Sequence, residues 1–184
     1  NDRLTNDEAL QFANEAPMWL GLGFAIAIGI GLRSGGRGGP LVLEAPVVMH
    51  ELNAPVPRAS VVRGPAIKQL RFMAFAGAVI GAIIGEVAAH RLPVNPAVAI
   101  ACGALSFALA GMLASATALA ASGRRLRWWP ANFLAAVIIG WSVLDVLGKR
   151  TTSPFTLLAD IAFWPIEFRA LALFSVVLVG VAVW

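Results

Sequence analysis

The feature that most constrains this chain is a succession of apolar runs, each close to the length of a bilayer crossing, with nearly all the charge held in the segments between them. A crossing helix needs about 20 consecutive apolar residues. Runs of that kind lie at residues 16–32, 72–89, 96–121 and 130–147, and a fifth opens at 170 and continues to 184. Only 13% of the residues are charged, about half the share that a soluble surface requires. The expected fold is therefore all-α: a polytopic transmembrane helix bundle forming a single domain, with about five crossings and short interfacial helices, in contact with the lipid bilayer.

The segments between the runs differ in character. Residues 1–16 are polar and acidic, and the Thr5-x-x-Glu8 spacing of a capping box predicts a short surface helix. Residues 33–71 begin with a glycine-rich connector and then carry five prolines from Pro40 to Pro65. Because proline removes a backbone donor and clashes with the preceding turn, this stretch predicts two short helices, near 41–53 and from Pro65 onward, with Pro65 in a first turn. Phe155 to Ile166, interrupted by Asp160 and Pro165, is too short to span. It predicts an interfacial or re-entrant helix within an outward segment, 151–168.

Charge sets the orientation. Arg33, Arg37, Arg58, Arg63, Lys68 and Arg71, together with Arg124, Arg125 and Arg127, make nine of the fourteen basic residues. They fall on one side if each run crosses once. By the positive-inside rule that side is cytoplasmic, in a multi-pass membrane protein. The basic residues separate apolar runs instead of lining one amphipathic face, which argues against nucleic acid as a partner.

Chemistry-bearing motifs are sparse. His50-Glu51 starts like a zinc-protease motif, but Ala54 stands where the second histidine is needed, and the glycines at 35–39 lack a following Walker lysine. There is no nucleophile elbow. The lone Cys102 lies within an apolar run and reads as a core thiol. No catalytic residue, metal site or cofactor is expected, and any ATPase activity belongs to a partner chain. Gly77, Gly81 and Gly85, four residues apart, predict a helix face open to close approach. Glu86 and Asp145 are the ionisable residues nearest to membrane depth. Such residues tend to be functional, yet His90 and Lys149 follow them at i+4, so local ion pairs explain both.

The strongest candidate segment reads Glu51-Leu52-Asn53-Ala54-Pro55-Val56-Pro57-Arg58, then Arg63-Gly64-Pro65-Ala66 leading into the next run. It can present a helix to a soluble partner or lie on anionic headgroups. The Leu-x-x-Pro-Val-x-Arg wording between two crossings resembles that of permease subunits of bacterial ABC-2-type exporters, with Pro57 as an insertion. The resemblance implies that Glu51, Pro55, Val56, Arg58 and Arg63 within residues 41–70 couple to a separate ATP-binding subunit. It implies as well that a second permease half or other transmembrane subunits complete the path. It places short outward helices where Phe155 to Ile166 stands, and it makes this chain, beginning just before the second crossing and ending within the sixth, a part of a longer one. The competing expectation is a non-catalytic accessory subunit of a larger membrane complex, in which the helices are packing surfaces.

Overall fold

The computed structural model describes residues 5–36, 58–123 and 127–184. These form four long helices: α1 (Asn6–Gly35), α2 (Arg58–Ala89), α3 (Pro96–Gly123) and α4 (Trp128–Gly148). A seven-residue helix α5 (Pro154–Asp160) follows, then a 3-10 turn (Ile161–Phe163) and α6 (Ala172–Val183). No strand occurs among the described residues. The long helices stand in a row, α2–α3–α1–α4. α5 and the 3-10 turn wedge against α1 and α3, and α6 lies beside α3 and α5.

Four helices are long and apolar enough to cross a membrane. The distribution of side chains decides the solvent. Phe72, Phe75, Ile83 and Val87 on α2, and Phe133, Leu144 and Leu147 on α4, are exposed. The fully buried set includes Ser106, Ser142, Ser153, Thr156 and Ser175. An apolar exterior of this extent is untenable in water, whereas hydrocarbon welcomes it and requires polar groups to be satisfied inside. The structure is that of a multi-pass membrane protein.

Several boundaries depart from the sequence expectation. α1 is one helix of 30 residues, opened by the Thr5–Glu8 capping box and running on through Pro17, so the polar leader and the first apolar run are not separate elements. Pro17 is fully buried; its ring sits inside the bundle, where tertiary packing outweighs the single lost backbone bond. α2 starts at Arg58, fourteen residues before the expected crossing, which leaves Pro65 interior and not in a first turn. The fifth run makes only a 12-residue helix, Ala172–Val183, about 18 Å long against a hydrocarbon core of about 30 Å. Among the described residues, four helices are long and apolar enough to span, and the fifth expected crossing is not established. The helix expected near 41–53 lies outside the described residues.

The closest packing is between α2 and α3, which run antiparallel. A Cβ added at Gly77 would meet the Phe107 carbonyl, one at Gly81 the Gly103 carbonyl, and one at Gly85 would stand 2.5 Å from the Ala99 oxygen. Gly103 and Gly111 of α3 meet Gly81 and Met73 of α2 in the same way. Backbones this close gain dispersion and weak Cα–H···O contacts along three turns. α1 packs parallel to α3 through Gly31 against Ala114 and Gly35 against Ala118. Between α1 and α2, which α3 holds apart, a cleft remains.

Gly81→Ala is expected to destabilise the bundle by about 2 kcal/mol, the usual cost of overpacking. Gly140→Ala, whose added Cβ meets nothing within 4 Å, should be neutral or gain up to about 1 kcal/mol of helix propensity. Thermal unfolding of both variants in the same detergent checks the contrast.

Candidate functional site

Two ends of the bundle differ in chemistry. Every acidic side chain among the described residues stands at the end formed by the α1 N-terminus, the α2 C-terminus and the α4 C-terminus: Asp7, Glu8, Glu15, Glu86, Asp145, Asp160 and Glu167. Arg33, Arg63, Lys68, Arg71 and Arg127 stand toward the other.

At the acidic end, Asp145 is 2% exposed and is the hub of a polar knot. Its Oδ2 accepts the backbone N–H of Thr152 at 3.1 Å, that of Ser153 at 2.7 Å and the Thr156 hydroxyl at 2.6 Å; its Oδ1 accepts the Thr152 hydroxyl at 2.5 Å. A buried carboxylate without partners is prohibitively costly; charge-assisted bonds of this kind contribute about 1.5–3 kcal/mol each, enough for four donors to hold it there. The geometry follows from the end of α4. Lys149 adopts a left-handed conformation with φ 49°, and the Lys149 and Arg150 N–H groups both close on the Asp145 carbonyl. The chain then turns back under the carboxylate. Ser153, the α5 N-cap, accepts the Thr156 N–H at 3.2 Å, and Pro154 occupies the first turn. The expected ion pair of Asp145 with Lys149 does not form, because the helix ends at Gly148 and the left-handed residue points its side chain away. Lys149 instead reaches Glu15 of α1 at 3.0 Å. Glu86, by contrast, lies exposed with His90 at 3.3 Å, the i+4 pair.

The knot fixes where α5 goes. Gly21 of α1 lies against the Thr156 backbone, and the Ser106 hydroxyl in mid-α3 donates to the Leu158 carbonyl at 2.9 Å. Leu158, Ala159 and Ile161 are buried with Phe24, Ile28, Leu113 and Val179. The segment expected between α4 and α6 therefore penetrates the bundle as a wedge before returning at Pro165 to Arg169.

At the inner end of the wedge stands a second buried carboxylate. Asp160, outside the four spanning helices and 2% exposed, faces Arg169 Nη1 at 3.4 Å and leaves Oδ2 without a partner. Arg169 is shared with Glu167 at 3.0 Å and with the Asn14 side chain. Burial pushes the Asp160 carboxyl up to about 6; Arg169 pulls it down and Glu167 adds to the rise.

Between α1 and α2 lie two apolar spaces in line. The cleft, of about 620 Å³, runs from Ser34, Gln69 and Ala118 at the basic end to Leu20, Ile80 and Phe107 at mid-bundle. Beyond it a cavity of about 60 Å³, lined by Ile84, Gly85, Leu92, Phe163 and Ile166, continues toward the acidic end. Leu20 and Phe107 border both, and Phe107 is pinned edge-on to Phe24 at 5.0 Å between centroids.

Of the expected site residues, Gly77 lines the cleft and Gly85 the cavity, with Gly81 between them on the α2–α3 contact. Glu51, Pro55 and Val56 lie outside the described residues. Arg58 opens α2, and Arg63 is exposed one and a half turns later. Nothing in the sequence gathers Thr152, Ser153, Thr156, Asp160 and Arg169 into a cluster, although Ser153-Pro154 before an apolar run is a helix-start signal. Among the described residues, no three His, Cys, Asp or Glu side chains gather as metal ligands. No family model matches the chain, and no curated protein or solved structure matches it.

Two outcomes follow. Asp145→Ala leaves four donors without their acceptor and should lower stability by at least about 3 kcal/mol, while Ser153→Cys, at a position fully buried in the native fold, becomes reactive to a water-soluble maleimide in that background. For Asp160, the folded carboxyl lies above its ordinary 3.8. Its neutral form therefore stabilises fully below that value, and the contribution is lost as pH rises through about 6. Asp160→Asn should melt higher than the native chain at pH 7 to 8, with the gap closing toward pH 4; a gap independent of pH would contradict this.

Proposed function

We propose that this chain is a permease subunit of an ATP-driven exporter of the ABC-2 type, in the bacterial cytoplasmic membrane. The observation that carries the reading is the line of apolar space between α1 and α2, which runs from the basic end toward the acidic end and is interrupted at Leu20 and Phe107. A second support is the α5 wedge between α4 and α6, the position at which the sequence resemblance puts short outward helices.

The mechanism follows from which contacts are tight. α2 and α3 are locked glycine to carbonyl over three turns and form one unit, which α1 meets as closely only at Gly31 and Gly35, near its last turns, where a pivot can sit. α1, α4 and the wedge form the other, tied by the Asp145 knot and the Lys149–Glu15 pair. A push delivered by an ATPase at residues 41–70 acts on the first turns of α2, at Arg58 and Arg63, and tilts the α2–α3 pair against α1. Such hinge or shear motion of packed helices has two discrete arrangements, here with the Leu20–Phe107 constriction closed or open. The lining is apolar, so the cargo is an apolar or amphipathic molecule. ATP hydrolysis takes place in the partner.

Purification from native membrane in mild detergent tests the reading. A stoichiometric chain bearing a Walker A motif should accompany this one and be lost on Arg58→Glu with Arg63→Glu. Partners that are all membrane-embedded, with no ATPase, would sink it and leave the accessory-subunit reading standing.

A further inference from the structure

The cleft between α1 and α2 is open on one side along its length, because its rims carry exposed side chains such as Ala27, Ile30 and Ile80. From Leu20 to Ser34 it follows fourteen residues of α1, about 21 Å at the helical rise. One leaflet of hydrocarbon is about 15 Å deep. The cleft thus begins at the middle of the bilayer and ends at one headgroup layer, which is the dimension of a single acyl chain in one leaflet. Its wall is made of small residues, Gly23, Ala27, Gly31, Ala76, Ala110 and Ala114, and a Cβ added at Gly23 meets nothing within 4 Å. The polar lining stands near the mouth, where Ser34 and Gln69 supply hydrogen-bonding groups at ester or headgroup level.

Charge says which headgroup. The mouth opens at the end where Arg33, Arg63, Lys68, Arg71 and Arg127 stand, and none of the acidic side chains of the described residues shares that end. Cations near a membrane surface attract anionic lipid, and the attraction falls off within a Debye length. At the opposite end the acidic side chains outnumber the cations Arg91, Lys149, Arg150 and Arg169, and Lys149 and Arg169 are each held by carboxylates of the chain itself.

We propose that the α1–α2 cleft is a binding site for an anionic phospholipid of the leaflet at the basic end, one acyl chain lying along Gly23, Ala27, Met73 and Ala114 and the phosphate at Ser34 and Gln69, in the field of Arg33 and Lys68 beside them. The site stands on the shape of the cleft and the charge distribution, and it holds whether the chain serves an exporter or an accessory role.

The test uses the full chain in nanodiscs with phosphatidylglycerol carrying a photoactivatable group at mid-acyl chain, and phosphatidylcholine with the same group. Peptides holding Ala27, Met73 and Ala114 should be labelled at least about tenfold more by the anionic lipid, the factor two nearby cations supply. Half-molar salt should erase that preference. Gly23→Leu with Ala27→Leu fills the cleft and should lose the labelling there, while labelling of the outer faces at Phe75 and Leu144 stays. Arg33→Gln with Lys68→Gln, both exposed positions, should keep the fold and lose only the headgroup preference. Equal labelling by the two lipids would overturn the proposal by reducing the site to ordinary annular contact. Outer-face labelling with an unlabelled cleft would overturn it as well, and would assign the cleft to a protein segment or a second copy. Neither result depends on whether an ATPase co-purifies.

Discussion

A carboxylate that has left water must find its donors within the protein, and Asp145 finds all of its own in the turn that follows its helix. That requirement shapes the whole segment that follows α4. The left-handed Lys149 sends the chain back beneath the α4 C-terminus, and the Thr152 and Ser153 N–H groups and the Thr152 and Thr156 hydroxyls converge on the two oxygens. α5 can then descend among α1, α3 and α6 with its first turn already satisfied. In hydrocarbon an uncapped helix start would be untenable, so the apolar core around Leu158, Ile161 and Phe24 exists only because the polar knot above it closes.

The second determinant is the absence of side chains. Gly77, Gly81 and Gly85 let α2 approach α3 until backbone meets backbone, and Gly31 and Gly35 do the same for α1 on α3. α3 consequently becomes the central post of the row, with α1 and α2 fastened to different faces of it. Two helices fastened to different sides of a third are held apart from each other. The α1–α2 cleft is therefore a consequence of the glycine contacts and not a defect in packing, and its apolar walls are the small residues that flank those contacts.

Much of this was legible in the residues, and the rest was hidden for physical reasons. Crossing helices are local objects: length and apolarity predicted α1 to α4, and four-residue glycine spacing marked the face of α2 that meets α3. The Thr5–Glu8 box, a contact within one turn, was legible too. The fate of Asp145 was not, since i+4 spacing to Lys149 favours a helical ion pair unless the helix stops one residue too soon. Asp160 and Arg169 are nine residues apart across a 3-10 turn and an irregular return, where no periodicity predicts a meeting. Pro65 read as a helix start because proline is at home there, yet α2 runs through it.

By itself, then, the sequence determined the solvent and the crossing elements, because exclusion of charge from an apolar run is a property of the run alone. It determined too which end of the bundle is basic, because the arginines and lysines sit between the runs. Only the tertiary structure decided that the segment after α4 enters the bundle, that one buried carboxylate is fully satisfied while another keeps an unpartnered oxygen, and that a cleft remains between α1 and α2. Each of those depends on donors, acceptors or backbones brought together from distant parts of the chain, and hydrocarbon, which offers no water to complete a missing bond, leaves that arrangement entirely to the fold.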